Sequence, residues 1–208
     1  MIPEFDVEIG YDYGLADLRA DLTAEKVATG FVEHHDYECL GLPGWEEVAE
    51  CLSREAEILE EAARSSAPDG IEEILTAVHE ADDVGFAEFM SDFRWNDVGV
   101  AGVSLALSAA RTATFYSCSS GLGKHHARYP MVGVVPDVER AKLIAILARS
   151  TGCGVGQQEG RWYLYARSVT ALHALGQSVL KRREAFDALP TPAWAEGLEE
   201  ELERISNY

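Results

Sequence analysis

Apolar residues return every three or four positions through GWEEVAECLSREAEILEEAARSS, residues 44–66, with Val48, Cys51, Leu52, Leu59 and Ala62 close to one face and carboxylates elsewhere. That period predicts an amphipathic helix. The SSAPDG stretch, Ser65 to Gly70, holds both Pro and Gly and reads as a turn. Asp69 is placed to cap the next helix, in which Ile71, Ile74, Leu75 and Val78 repeat at the same spacing. Upstream, EFDVEIGY reads as a short strand and GLADLRADLTAEKVATGFVEHH as one or two further helices.

The pattern changes near Trp95. NDVGVAGVSLALSAAR opens on Asn96 or Asp97 as a cap and then runs almost wholly apolar, the signature of a buried helix. TATFYSC and YPMVGVV read as strands. PDVERAKLIAILARSTG, from Pro136 to Gly152, is a helix with Val138, Ala141, Ile144 and Leu147 on one face. CGVGQQEGRWYLYA reads as a hairpin turning at Glu159-Gly160, with Trp162 and Leu164 on one face. A helix capped by Ser168 follows, then a terminal helix after Pro192. The expected fold class is α+β: an acidic, mainly helical N-terminal half packed on a C-terminal α-β-β-α-β-β-α domain. The expected divisions are 1–92, 93–190 and a C-terminal helix over 191–208; a helical layer folded onto one continuous domain is the alternative.

Charge sharpens the division. The 208 residues carry a net charge of −19, and residues 1–100 alone carry −21 against +2 for the rest. An acidic half of that strength repels a phosphate backbone, which argues against direct nucleic-acid binding. It steers a basic protein partner, as in an immunity protein, an antitoxin or a regulatory protein, and it equally serves as a solvated surface. The start of the chain lacks a basic segment followed by an apolar run, and the most apolar run, VGVAGVSLALSAA, is too short to span a bilayer. A cytoplasmic protein with no membrane association is expected. Cys39, Cys51, Cys118 and Cys153 are widely spaced without a CxxC, so reduced thiols are expected and a paired-cysteine zinc centre is not.

Candidate chemistry concentrates in TFYSCSSGLGKHHARYP, Thr114 to Pro130, where a predicted strand ends and a glycine loop begins. One fit is nucleophilic catalysis, with Cys118 activated by His125 or His126 and oriented through Asp97. A second is anion or small-ligand binding, with Gly121 and Gly123 giving close backbone approach and Ser117, Ser119, Lys124, His126 and Arg128 supplying polar contacts. A third is a metal held by Cys118 and a histidine; adjacent strand side chains point to opposite faces, so no metal ligand is assigned. The fourth is a turn between two strands. SGLGK lacks P-loop spacing, and His125 stands where Ser or Thr would hold magnesium. No cofactor is specified.

Residues 97–135 resemble a group of uncharacterised small bacterial and phage proteins that carry a helix, a strand, an SC-x-GG-x-GH element, a Pro and a V-x-F strand. Here Ser120 replaces the first glycine, and Lys124 stands at the histidine position with His125 one place later. The resemblance implies that Ser117, Cys118, Gly121, Gly123 and Pro130 form a recurring element of a fold, and it implies no activity. Ser117-Cys118-Ser119 is also similar to a segment of the wybutosine-synthesis methyltransferase family, whose arginine is absent here.

Other clusters have ordinary explanations. His34-His35-Asp36 with Glu38 and Cys39 carries ligand-type side chains but reads as a polar helix end before GLPG. His79 and His173 are lone histidines on predicted helices. Trp95, Trp162, Tyr163 and Tyr165 have faces on which a base could stack, and Trp162 is expected in the core. The basic KRRE, Lys181 to Glu184, suits a helix C-terminus.

Overall fold

The sheet is built outward from a tight hairpin. In this computed structural model, which describes residues 1–19, 21–30, 39–120 and 127–206, β4 (Gly154–Gln158) and β5 (Arg161–Tyr165) pair antiparallel. They turn through Glu159 and Gly160, with φ of 52° and 75°. Two successive positive φ values match the twist of the flanking strands, and Gly160 supplies one of them without strain. β3 (Met131–Val135) joins β5 antiparallel, and β2 (Ala113–Cys118) joins β3 antiparallel. β1 (Tyr11–Asp12) adds in parallel to β4, giving the order β1-β4-β5-β3-β2. The strand expected over residues 4–11 is therefore paired only at its end.

One face of the sheet presents Val132, Val134, Val155, Trp162 and Leu164, all with no exposed area, to α5 (Ala101–Ala109), α6 (Val138–Ser150) and α7 (Val169–Lys181). Asp137 caps α6 and Ser168 caps α7 through their side-chain oxygens, each meeting an amide that the first turn leaves unpaired. On the other face Ala113, Phe115 and Val135 meet α1 (Ala24–Ala28), α9 (Ala193–Glu196) and α10 (Leu198–Ser206) through Val27, Trp194 and Leu198. α8 (Arg183–Asp187) follows α7 after a break at Arg182, where a single helix was expected. The region before residue 30 contains a 3-10 turn (Leu15–Asp17) and the short α1; residues 31–38, which include His34 and His35, lie outside the described residues.

The acidic half contributes α2 (Trp45–Arg64), α3 (Gly70–Ala81) and α4 (Asp83–Ser91). Val48, Cys51, Leu52, Leu59 and Ala62 of α2 are buried in the same core cluster as α5 and α7. Asp69 caps α3 as its position predicts, accepting from the amides of Ile71 and Glu72. The chain is thus an α+β protein: a helical N-terminal half on a C-terminal α-β-β-α-β-β-α unit running from α5 to α7. No helix among the described residues is long and apolar enough to cross a membrane.

Candidate functional site

The apolar helix starts later than its sequence suggests. α5 begins at Ala101, and no side chain caps it. The expected capping residues point instead at the end of β2. The Ser117 hydroxyl donates to Asn96 Oδ1 at 2.9 Å, and Asn96 Nδ2 donates to the Phe93 and Arg94 carbonyls at 3.1 and 3.2 Å. Asp97 Oδ2 accepts from the Ser119 amide at 3.0 Å and from its hydroxyl at 3.2 Å. Gly99, with φ of 98°, makes the bend between this tie and the helix; a side chain there would strike Val169. Asn96 and Asp97 therefore fasten the strand end to the helix entrance.

Beyond β2 the chain closes on itself before and after the glycine segment. The Ala127 amide donates to Cys118 Sγ at 3.4 Å, and the Ser120 hydroxyl donates to the Ala127 carbonyl at 2.5 Å. Ser120 is 2% exposed and takes a φ of 59°, so the resemblance's glycine position is held here by a serine in the left-handed region. Gly121, Gly123, Lys124, His125 and His126 lie outside the described residues. Of the catalytic set, Cys118 and Asp97 are thus the described members. Cys118 is 6% exposed, and the Asp97 carboxylate is engaged by Ser119. Of the ligand-binding set, Ser117 and Ser119 spend their hydroxyls on Asn96 and Asp97, and Arg128 is exposed.

Tyr116, between these residues on β2, has its hydroxyl pushed up to about 12. Burial is the first cause; the Cys118 side chain, through charge and a hydrogen bond, and then Asp97 add to it. Burial likewise pushes the Cys153 thiol up to about 11 and raises the Cys51 thiol further still, with Glu55 adding to the latter. No disulfide joins the four cysteines. No group of three or more His, Cys, Asp or Glu side chains among the described residues is arranged to hold a metal ion.

Next to the Asn96–Asp97 tie lies a cavity of about 470 Å³, a volume typical of small-molecule sites. Its walls come from the turn at Arg94 to Asp97, the later part of α5, the β2 strand, residues 39–43 and Trp194. Arg94, Trp95, Asp97 and Ser117 line it beside Ser108 and Thr114, whose hydroxyls lie 2.9 Å apart. Arg94 is fixed in place: it donates to both Glu47 carboxylate oxygens and to the Leu40 and Gly41 carbonyls. Asp97 and Ser117 stand out in the sequence but this cavity does not, because residues 39–43 and Trp194 reach it only through the tertiary fold.

A second concavity, of about 860 Å³, lies in the acidic half between α2, α3 and α4. Ile58, Ile74, Val78 and Phe89 line it, and Glu61, Glu73, Asp82, Glu88 and Asp92 contribute carboxylates. The one cation lining it among the described residues, Arg54, is paired with Asp92 at 3.1 Å and sits over the Phe89 ring. α4 is predominantly apolar, yet none of its residues is fully buried, and Val84 is 67% exposed.

The chain matches no protein-family model, no curated protein and no solved structure.

Proposed function

We infer that this protein is an interaction protein that docks a basic partner, of the immunity, antitoxin or regulatory kind, in the groove between α2, α3 and α4. The observation that carries this reading is the composition of that groove: an apolar floor rimmed by carboxylates whose charge is not balanced. A purely solvated acidic surface has no use for an apolar helix left only half-buried. A large apolar patch ringed by polar groups is how protein-binding surfaces are built. The occupant that fits is an amphipathic helix with lysines and arginines beside an apolar stripe, its stripe on Phe89 and Ile74 and its cations among the rim carboxylates. The field of the acidic half speeds the encounter, and the apolar floor holds the complex.

The test is titration of the full-length protein with a lysine-rich amphipathic peptide, followed by calorimetry at about 50 mM and about 500 mM salt. Binding is expected to weaken by about tenfold or more as salt rises. It is expected to weaken similarly when Glu61→Gln, Asp82→Asn and Glu88→Gln are combined, and to be unchanged in Cys118→Ala. Binding that is insensitive to both salt and the three substitutions overturns the proposal, as does the absence of binding at low salt.

A further inference from the structure

The turn that joins α4 to α5 breaks a backbone rule twice in succession. Arg94 and Trp95 have φ of 47° and 57°, in the left-handed region that disfavours residues with a Cβ. Arg94 has local compensation in its bonds to Glu47 and two carbonyls. Trp95 has none from its side chain: the indole is 61% exposed and makes no hydrogen bond or ring contact among the described residues. A large aromatic held in a strained conformation, out in solvent, at the wall of a cavity is an arrangement found at ligand clamps.

The cavity wall has two further features that the fold does not use up. Thr112 is fully buried and lines the cavity, and its Oγ1 has no hydrogen-bond partner among the described residues, an unfavourable state for a buried polar group. Asp97 uses Oδ2 for Ser119, while its Oδ1 has no partner and the residue forms no ion pair among the described residues. The Arg94 charge is cancelled by Glu47, so the charge left over in the described wall is negative.

We propose that this cavity is a binding site for a small organic ammonium cation, with Trp95 as the aromatic face over the cationic group, Asp97 as its counter-charge and the wall hydroxyls as hydrogen-bond partners. A cation over a tryptophan face is attracted by the ring quadrupole, and a carboxylate at the same wall adds a charge that a neutral ligand cannot use. An anion is disfavoured by that carboxylate and by the field of the acidic half. The site is separate from the α2–α3–α4 groove, and the two stand or fall independently.

The experiment is an NMR titration of the ¹⁵N-labelled full-length protein with phenethylammonium, run beside phenethyl alcohol and phenylacetate as neutral and anionic counterparts. Saturable shifts are expected at the Trp95 indole and at the Ser119 amide, which reports on Asp97. The ammonium is expected to bind about tenfold more tightly than the alcohol. Asp97→Asn keeps an oxygen for the Ser119 amide and is expected to erase the ammonium preference; Trp95→Leu, at an exposed position, is expected to weaken the ammonium about tenfold with the fold intact. Shifts that do not saturate, equal affinity for the alcohol, tighter binding of phenylacetate, or unchanged ammonium affinity in Trp95→Leu each overturn the proposal.

Discussion

Glu55 of α2 and His173 of α7 meet inside the protein, Oε2 to Nδ1 at 2.6 Å, with the glutamate fully buried and the histidine 7% exposed. The other carboxylate oxygen accepts from the amides of Gly99 and Gly102, at 2.8 and 3.2 Å, where α5 begins. His173 Nε2 lies 3.0 Å from the Gln177 amide nitrogen. One side chain therefore ties three helices, and it supplies the negative group that the uncapped start of α5 lacks.

Removing that group leaves several buried donors without an acceptor. Glu55→Ala is expected to lower unfolding free energy by about 3–5 kcal/mol, and Glu55→Gln, which keeps an oxygen acceptor, by less. Urea denaturation of the two variants measures the difference. Equal losses would mean that the carboxylate's charge, and not side-chain shape or a single oxygen acceptor, is what the position requires.

The same three helices approach closely because α5 and α7 carry glycines where they cross. A Cβ on Gly176 would lie 3.0 Å from the Val103 backbone and from the Leu52 side chain. In an isolated helix, alanine stabilises relative to glycine by about 1 kcal/mol. Here Gly176→Ala is expected to destabilise by about 1–3 kcal/mol, since backbone atoms must move apart to admit the methyl. A thermal melt that rose in this variant would show that the α5–α7 contact is looser than its geometry implies.

These contacts mark where the sequence was legible and where it was not. α2, α3, α6, the Glu159-Gly160 turn and the Ser168 cap were legible because each depends on residues within a few positions of one another. The starting point of α5 was misread because Asn96 and Asp97 have the chemistry of caps; their partners, Ser117 and Ser119, lie on the next strand and leave no trace in local spacing. α4 went unassigned because its apolar residues do not form a single stripe, which is also why they stay half-buried, with Val84 exposed. The centre of the candidate loop, Gly121 to His126, lies outside the described residues, whereas the cavity beside Asp97 draws on Leu40 and Trp194, far apart along the chain.

Titration of the buried acids on the alkaline side gives a prediction with a definite sign. Cys153 has no exposed area; its thiol, near 9 in an unfolded chain, is raised to about 11 by burial. Between those values the unfolded chain gives up the proton and the folded protein keeps it. The folded state then binds more protons, and stability falls as pH rises. The loss from Cys153 begins near pH 9, is complete above about 11, and is about 3 kcal/mol. The Cys51 thiol, raised further by burial and Glu55, adds a loss of the same sign that starts with it and continues beyond that window. Tyr116, raised from 10.0 to about 12, extends the decline into a second window with the same sign. Urea midpoints measured across these windows are expected to fall steadily. Cys153→Ser keeps a hydroxyl to face Thr151 and the Ala171 carbonyl but has nothing to titrate, so its curve is expected to be flatter between pH 9 and 11 and to follow the parent above it. Tyr116→Phe is expected to flatten only the upper window. If Cys153→Ser declines with the parent through the lower window, the thiol is not the group that makes the fold sensitive to alkali.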